Sequence, residues 1–138
     1  MKIVVIDAQG GGVGKSLVGA LNTKDRDYEI FAVGTNSAAA AAMLKNGADK
    51  AAVGENAVIV NCWDADVIVG AIGIVIADSM LGEISPAMAT AVAQSRAEKV
   101  LIPFSHCGLN LIGLRSRKLS EMIEEAAQTV TELVAKKS

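Results

Sequence analysis

The stretch "IDAQGGGVGKSL", residues 6–17, decides how this chain is read. It follows the β-branched run "KIVVI" at residues 2–6 and leads into Val13, Leu17, Val18 and Leu21, apolar positions at helical spacing. A continuous apolar run bounded by turn residues is a strand buried on both faces, and a spacing of three and four is one face of a helix. The opening unit is therefore strand, glycine loop, helix. In such a unit the loop N–H groups and the positive end of the helix dipole converge and favour an anion. Glycine suits the loop because it takes positive φ and puts no Cβ between the main chain and a ligand. Gln9, Gly10, Gly11, Gly12 and Gly14 are the candidate backbone donors; Lys15 adds a point charge and Ser16 a hydroxyl.

Working outward, residues 28–33, "YEIFAV", read as a second strand. Thr35, Asn36 and Ser37 then offer N-cap oxygens to an alanine-rich helix ending at Asn46 and Gly47, a good C-cap pair. "ADKAAVG" is a short third strand at best, and a helix over residues 56–61 follows. Residues 66–70, "DVIVG", are a fourth buried strand. The next stretch, "AIGIVIADSMLGE", reads either as continued strand or as a loop that becomes a helix. Ser85 and Pro86 mark a helix start at N-cap and N1, running to about residue 95. Residues 99–102 are a fifth strand and residues 109–114 a sixth at an edge. Ser120 caps the last helix, where Met122, Ile123, Ala126, Ala127, Val130, Leu133 and Val134 form one apolar stripe. Glu121, Glu124 and Glu125 near its start and Lys136 and Lys137 at its end suit the dipole. Strands alternating with helices predict a three-layer α/β, Rossmann-like domain over residues 1–138, with a mainly parallel sheet of five or six strands.

The totals narrow the partners. Across 138 residues the net charge is −2 with no Lys/Arg run, which leaves no field for nucleic acid or acidic membranes. The longest apolar run, residues 67–77, is too short to span a bilayer. Met1 leads directly into a strand, leaving no signal-peptide pattern. Cys62 and Cys107 form no C-x-x-C pair and read as reduced thiols, so the expected location is cytoplasmic. Hydrophobic content is 51% but aromatic content only 3%, with a mean hydropathy of +0.40. Small apolar residues bury little area each, which predicts a homo-oligomer.

The glycine stretch resembles two families. It is similar to the P-loop, G-x-x-x-x-G-K-[ST], of ParA and MinD-like NTPases, with Gln9 at the first glycine position. That resemblance implies Mg²⁺-dependent nucleotide hydrolysis and an acid at a second strand end. "IVIAD" ends at Asp78 but leaves no room for a helix after the strand ending at Gly70. The stretch also resembles the Rossmann βαβ unit, G-x-G-x-x-G, with Gln9, Gly11 and Gly14 on the glycine positions. This implies NAD(P) or another nucleotide as cofactor. Its ribose-binding acid falls about 20 residues on, where this chain carries Gly34, Thr35 and Asn36 instead. Thr35 and Asn36 would then contact the distal part of the ligand. Over nearly its whole length the chain resembles a family of small bacterial proteins of unknown function with Rossmann-like features, through "GGGVGK", "GTN", "GENA", "GAIGI", "SMLGEISP" and "LIP". That resemblance implies no reaction.

Ligands of doubly wound sheets bind beyond the carboxyl ends of the strands. Asp7 stands at the first such end, either to meet Mg²⁺ or a ligand hydroxyl, or to accept hydrogen bonds from its own loop. Glu55 reads as a general base or as compensation for a helix dipole. Ser105, His106 and Cys107 gather the one histidine with a thiol and a hydroxyl. Neighbours on an extended segment point apart, however, so His106 reads as solvent-facing and Cys107 as buried. The chain owns too few His and Cys residues for a metal site. Ser79 lacks a G-x-S-x-G elbow, so Asp78 or Ser79 reads as a helix cap. The sequence thus predicts binding of a phosphate-bearing small molecule, a nucleotide or dinucleotide. The alternatives are a P-loop-like hydrolase and a non-catalytic subunit or scaffold with a purely structural glycine loop.

Overall fold

The computed structural model describes residues 1–104 and 108–137. Strands and helices alternate: β1 (Lys2–Asp7), α1 (Gly12–Leu21), β2 (Glu29–Gly34), α2 (Ser37–Lys45), β3 (Lys50–Val53), α3 (Glu55–Trp63), β4 (Val67–Ala71), α4 (Pro86–Gln94), β5 (Glu98–Ile102) and α5 (Leu119–Lys137). A short 3₁₀ helix, Ile72–Val75, follows β4. The five strands form one sheet in the order β3-β2-β1-β4-β5, and every neighbouring pair is parallel.

The period of two in a strand explains the layers. Ile3 and Val5 of β1 and Val67 and Val69 of β4 enter one cluster, with Leu17, Val18 and Leu21 of α1, Met43 of α2, and Ile123, Ala126 and Val130 of α5. Val4, Ile6 and Ile68 point the other way, onto Val58 and Cys62 of α3 and Met88, Ala89 and Val92 of α4. Helices thus cover both faces, which is why the central strands read as unbroken apolar runs. Each fully buried Ile, Leu or Val contributes about 1.5–3 kcal/mol relative to exposure. The result is a three-layer, Rossmann-like α/β fold.

The predicted caps hold at two helices. Asn36 Oδ1 accepts from the Ala39 N–H at 2.9 Å, and Ser85 Oγ accepts from the Met88 N–H at 3.2 Å with Pro86 at the first position. The "KAAV" segment is a true strand, paired with β2. Residues 71–83 resolve into the end of β4, the 3₁₀ helix and a turn. Two expectations fail. Residues 109–114 form no strand: Leu109, Leu111, Ile112 and Leu114 are exposed and β5 remains an edge of the sheet. An apolar segment becomes a strand only where a neighbour completes its ladder, and among the described residues none pairs with this one. Ser120 does not cap the last helix, because α5 begins one residue earlier at Leu119.

Candidate functional site

β1 is the central strand, and the sheet order reverses between it and β4. In open α/β sheets that reversal opens a crevice beyond the carboxyl ends of the strands. Asp7, the last residue of β1, is buried at its floor. Its Oδ1 accepts from the Ala8 N–H at 2.8 Å and its Oδ2 from the Gly14 N–H at 2.6 Å. Burial pushes its pKa up; the two N–H groups pull the other way, and the nearby charge of Glu83 adds to the rise. Asp7 therefore serves its own loop, the second of the two readings above.

The loop turns through Gln9 at φ 52° and Gly11 at φ 76°, both left-handed. A Cβ on Gly11 would stand 2.8 Å from Ala39 Cα, and one on Gly14 would stand 2.7 Å from both Asp7 Cβ and Met43 Sδ. These two glycines let α1 lie against the strand and α2. Gly10 and Gly12 face open space. The loop's donors divide in the same way. The Gln9, Gly11 and Gly14 N–H groups are bonded inside the protein, to Glu83, Ala8 and Asp7. Among the described residues, those of Gly10, Gly12 and Val13 meet no protein acceptor. Lys15 and Ser16 lie beyond the first three residues of α1 and are exposed.

A third element completes the site. Residues 78–82 form a turn in which Asp78, Met80, Leu81 and Gly82 all have positive φ, at 65°, 55°, 56° and 85°. Three L-residues in this region cost roughly 1–2 kcal/mol each, so the surroundings must hold them there. Ser79 Oγ donates to the Gly73 carbonyl at 2.5 Å and the Asp78 N–H to the Ile84 carbonyl at 2.7 Å. Asp78 and Ser79 are turn residues, not helix caps. Just past the turn, Glu83 Oε1 accepts from Thr35 Oγ1 at 2.6 Å, the Gln9 N–H at 2.9 Å and Asn36 Nδ2 at 2.9 Å. These donors, Thr35 foremost, hold the Glu83 carboxyl below the usual range. Glu55 stands apart at the start of α3, where it accepts from Ser85 Oγ at 2.5 Å.

A cleft of about 440 Å³ lies between the loop and this turn, lined by residues 7–13 with Ala71, Met80, Leu81 and Phe104. Nothing from β2 or α2 lines it. Open clefts elsewhere flank residues 109–117, where the charged groups are Arg115, Arg117 and Glu125, and Arg117 is already paired with Glu125. Ser105, His106 and Cys107 lie outside the described residues. Among the described residues no group of three or more His, Cys, Asp and Glu can hold a metal ion, and no helix is long and apolar enough to cross a membrane.

The sequence singled out the loop, Thr35 and Asn36 but assigned Glu83 no role. Local pattern carries no signal for a contact that joins residues 9 and 83. Among solved structures, the chain is similar to a dodecameric FMN-dependent Ubix-like decarboxylase from Escherichia coli O157:H7. The two share 18% identity with a TM-score of 0.46, over 97% of this chain and 76% of that one. The comparison with curated proteins returned no match. A family profile does match, over residues 2–135, and by it the chain belongs to the family described as domain of unknown function DUF3842.

Proposed function

We propose that this protein binds a phosphate-bearing small molecule of the nucleotide kind in the cleft beside the glycine loop. The observation that carries this reading is the coincidence of three free backbone donors, on Gly10, Gly12 and Val13, with a cleft at the sheet's point of reversal. The donors suit an oxyanion, and Met80, Leu81 and Phe104 offer an apolar surface for a base. NAD(P), ATP and FMN are the natural probes. A thermal-shift and native mass spectrometry panel with these ligands is expected to show at least one that raises the melting temperature. Gly12→Ala should abolish that rise without lowering the unliganded stability, because its Cβ enters open space and alanine favours the helix. A flat panel, with no retained ligand mass, overturns the reading and leaves the loop architectural.

Hydrolysis of P-loop type has no observation in its favour. Lys15 and Ser16 are exposed on the flank of α1, and Asp78 sits in a turn.

Self-association is the second part of the reading. Trp63 is 73% exposed and Ile112 98%, with Val60, Leu81 and Leu114 also open to solvent, large apolar side chains that a second copy of the chain would cover. Light scattering is expected to give at least a dimer mass; a monomer mass overturns this part.

A further inference from the structure

The crevice is not equally open on its two sides. On the β4 side lies the cleft, reached by Ala71 at the end of β4 and Phe104 just beyond β5. On the β2 side the donors that a ligand would use are already taken. Thr35 Oγ1, Asn36 Nδ2 and the Gln9 N–H all converge on one oxygen of Glu83. Asn36 Nδ2 is shared with the Gln9 carbonyl at 3.0 Å, so the amide has no free hydrogen to offer across the loop.

Glu83 reaches this place from the far side. It follows the 3₁₀ helix after β4, yet its carboxylate rests on residues that follow β1 and β2. The segment before it therefore crosses the mouth of the crevice above β1. Its left-handed residues shape the crossing, and Ser79 anchors its base on Gly73.

We propose that residues 78–84 are a built-in strap, whose Glu83 carboxylate shuts the β2 side of the crevice so that the site takes mononucleotides and shuts out dinucleotides. This deepens the reading above and rests on it. A dinucleotide laid on a doubly wound sheet spans the reversal point, with one nucleoside on each side and its pyrophosphate at the first helix. Here one side is filled by a side chain that carries negative charge. A second phosphate or a ribose placed there would have to displace Glu83 from three hydrogen bonds. A ligand with one phosphate group and one base needs only the β4 side.

The test uses the full chain, with AMP and NAD as probes in calorimetry, and amide exchange followed by NMR. The wild type is expected to bind AMP at least about tenfold more tightly than NAD, and Glu83→Ala to bring the two within about threefold by gaining NAD affinity. In the absence of any ligand, Glu83→Ala is expected to speed exchange of the Gln9 amide at least about tenfold, because its acceptor is gone. If the alanine variant fails to fold, Glu83→Gln keeps the shape with a weaker acceptor and should move both readouts in the same direction, by less. Wild-type protein that binds NAD as tightly as AMP overturns the inference and leaves the binding site standing. Unchanged Gln9 exchange in Glu83→Ala overturns the strap itself. Binding of neither probe overturns the strap's claim on ligand choice, while the nucleotide reading stands or falls with the wider ligand panel above.

Discussion

Replacing Gly14 with alanine is expected to destabilise the fold by about 3 kcal/mol, or roughly 10 °C in melting temperature for a chain of this size. The added methyl would meet Asp7 Cβ and Met43 Sδ at 2.7 Å and Asp7 Oδ2 at 2.8 Å. Met43 is flexible but fully buried, and Asp7 Cβ is fixed to the central strand. Such overpacking costs about 1–3 kcal/mol. Asp7 must also swing away from the Gly14 N–H, and a buried donor left unpaired costs about 1–3 kcal/mol more. The better helix propensity of alanine returns only about 1 kcal/mol. Gly12→Ala is the internal control, since it makes the same exchange on the same helix in open space. Thermal melts that treat the two variants alike would refute the close approach of α1 to β1.

The second large effect is expected at Gly34, where β2 ends. An alanine Cβ there would stand 2.6 Å from Ala40 N and 2.7 Å from Asn36 O. Both are backbone atoms, so no rotamer change relieves the clash and α2 must shift bodily. A loss of about 2–3 kcal/mol follows from overpacking alone. The shift carries a local signature as well. Thr35 and Asn36 lie between the strand and α2, and both donate to Glu83. Gly34→Ala should therefore loosen the Gln9 and Glu83 contacts, seen as faster amide exchange at Gln9 beyond that of a core variant of equal stability. Equal exchange in the two would refute the coupling of α2 to the strap.

The fold was legible because its determinants are local. "KIVVI" and "DVIVG" are apolar at every position, so they announce strands covered on both faces, and Ser85 with Pro86 announces a helix start. The sheet's parallel sense follows from the helices between the strands. The segment after β5 misled for a physical reason: "LNLIGL" is mostly apolar, as a short strand can be, but apolar composition says nothing of the hydrogen-bonding neighbour. The candidate site was legible in half. The glycines mark where backbone and ligand, or backbone and helix, come close. Which of the two applies at each glycine depends on what stands opposite, and Gly14 and Gly12 look alike until Asp7 and Met43 are seen beside one of them. Glu83 was illegible because its meaning lies in three donors contributed by two distant turns.

The all-parallel sheet has one further consequence. No two neighbouring strands are joined by a hairpin, so no part of the sheet can zip up locally. The pairing of β1 with β4, Ile3 against Val67, closes the longest stretch of chain of any strand pair here. It bears the largest closure entropy in the sheet. The crevice lies across that junction, so it has no existence in a partly assembled chain: this protein cannot hold its cleft before it holds its topology.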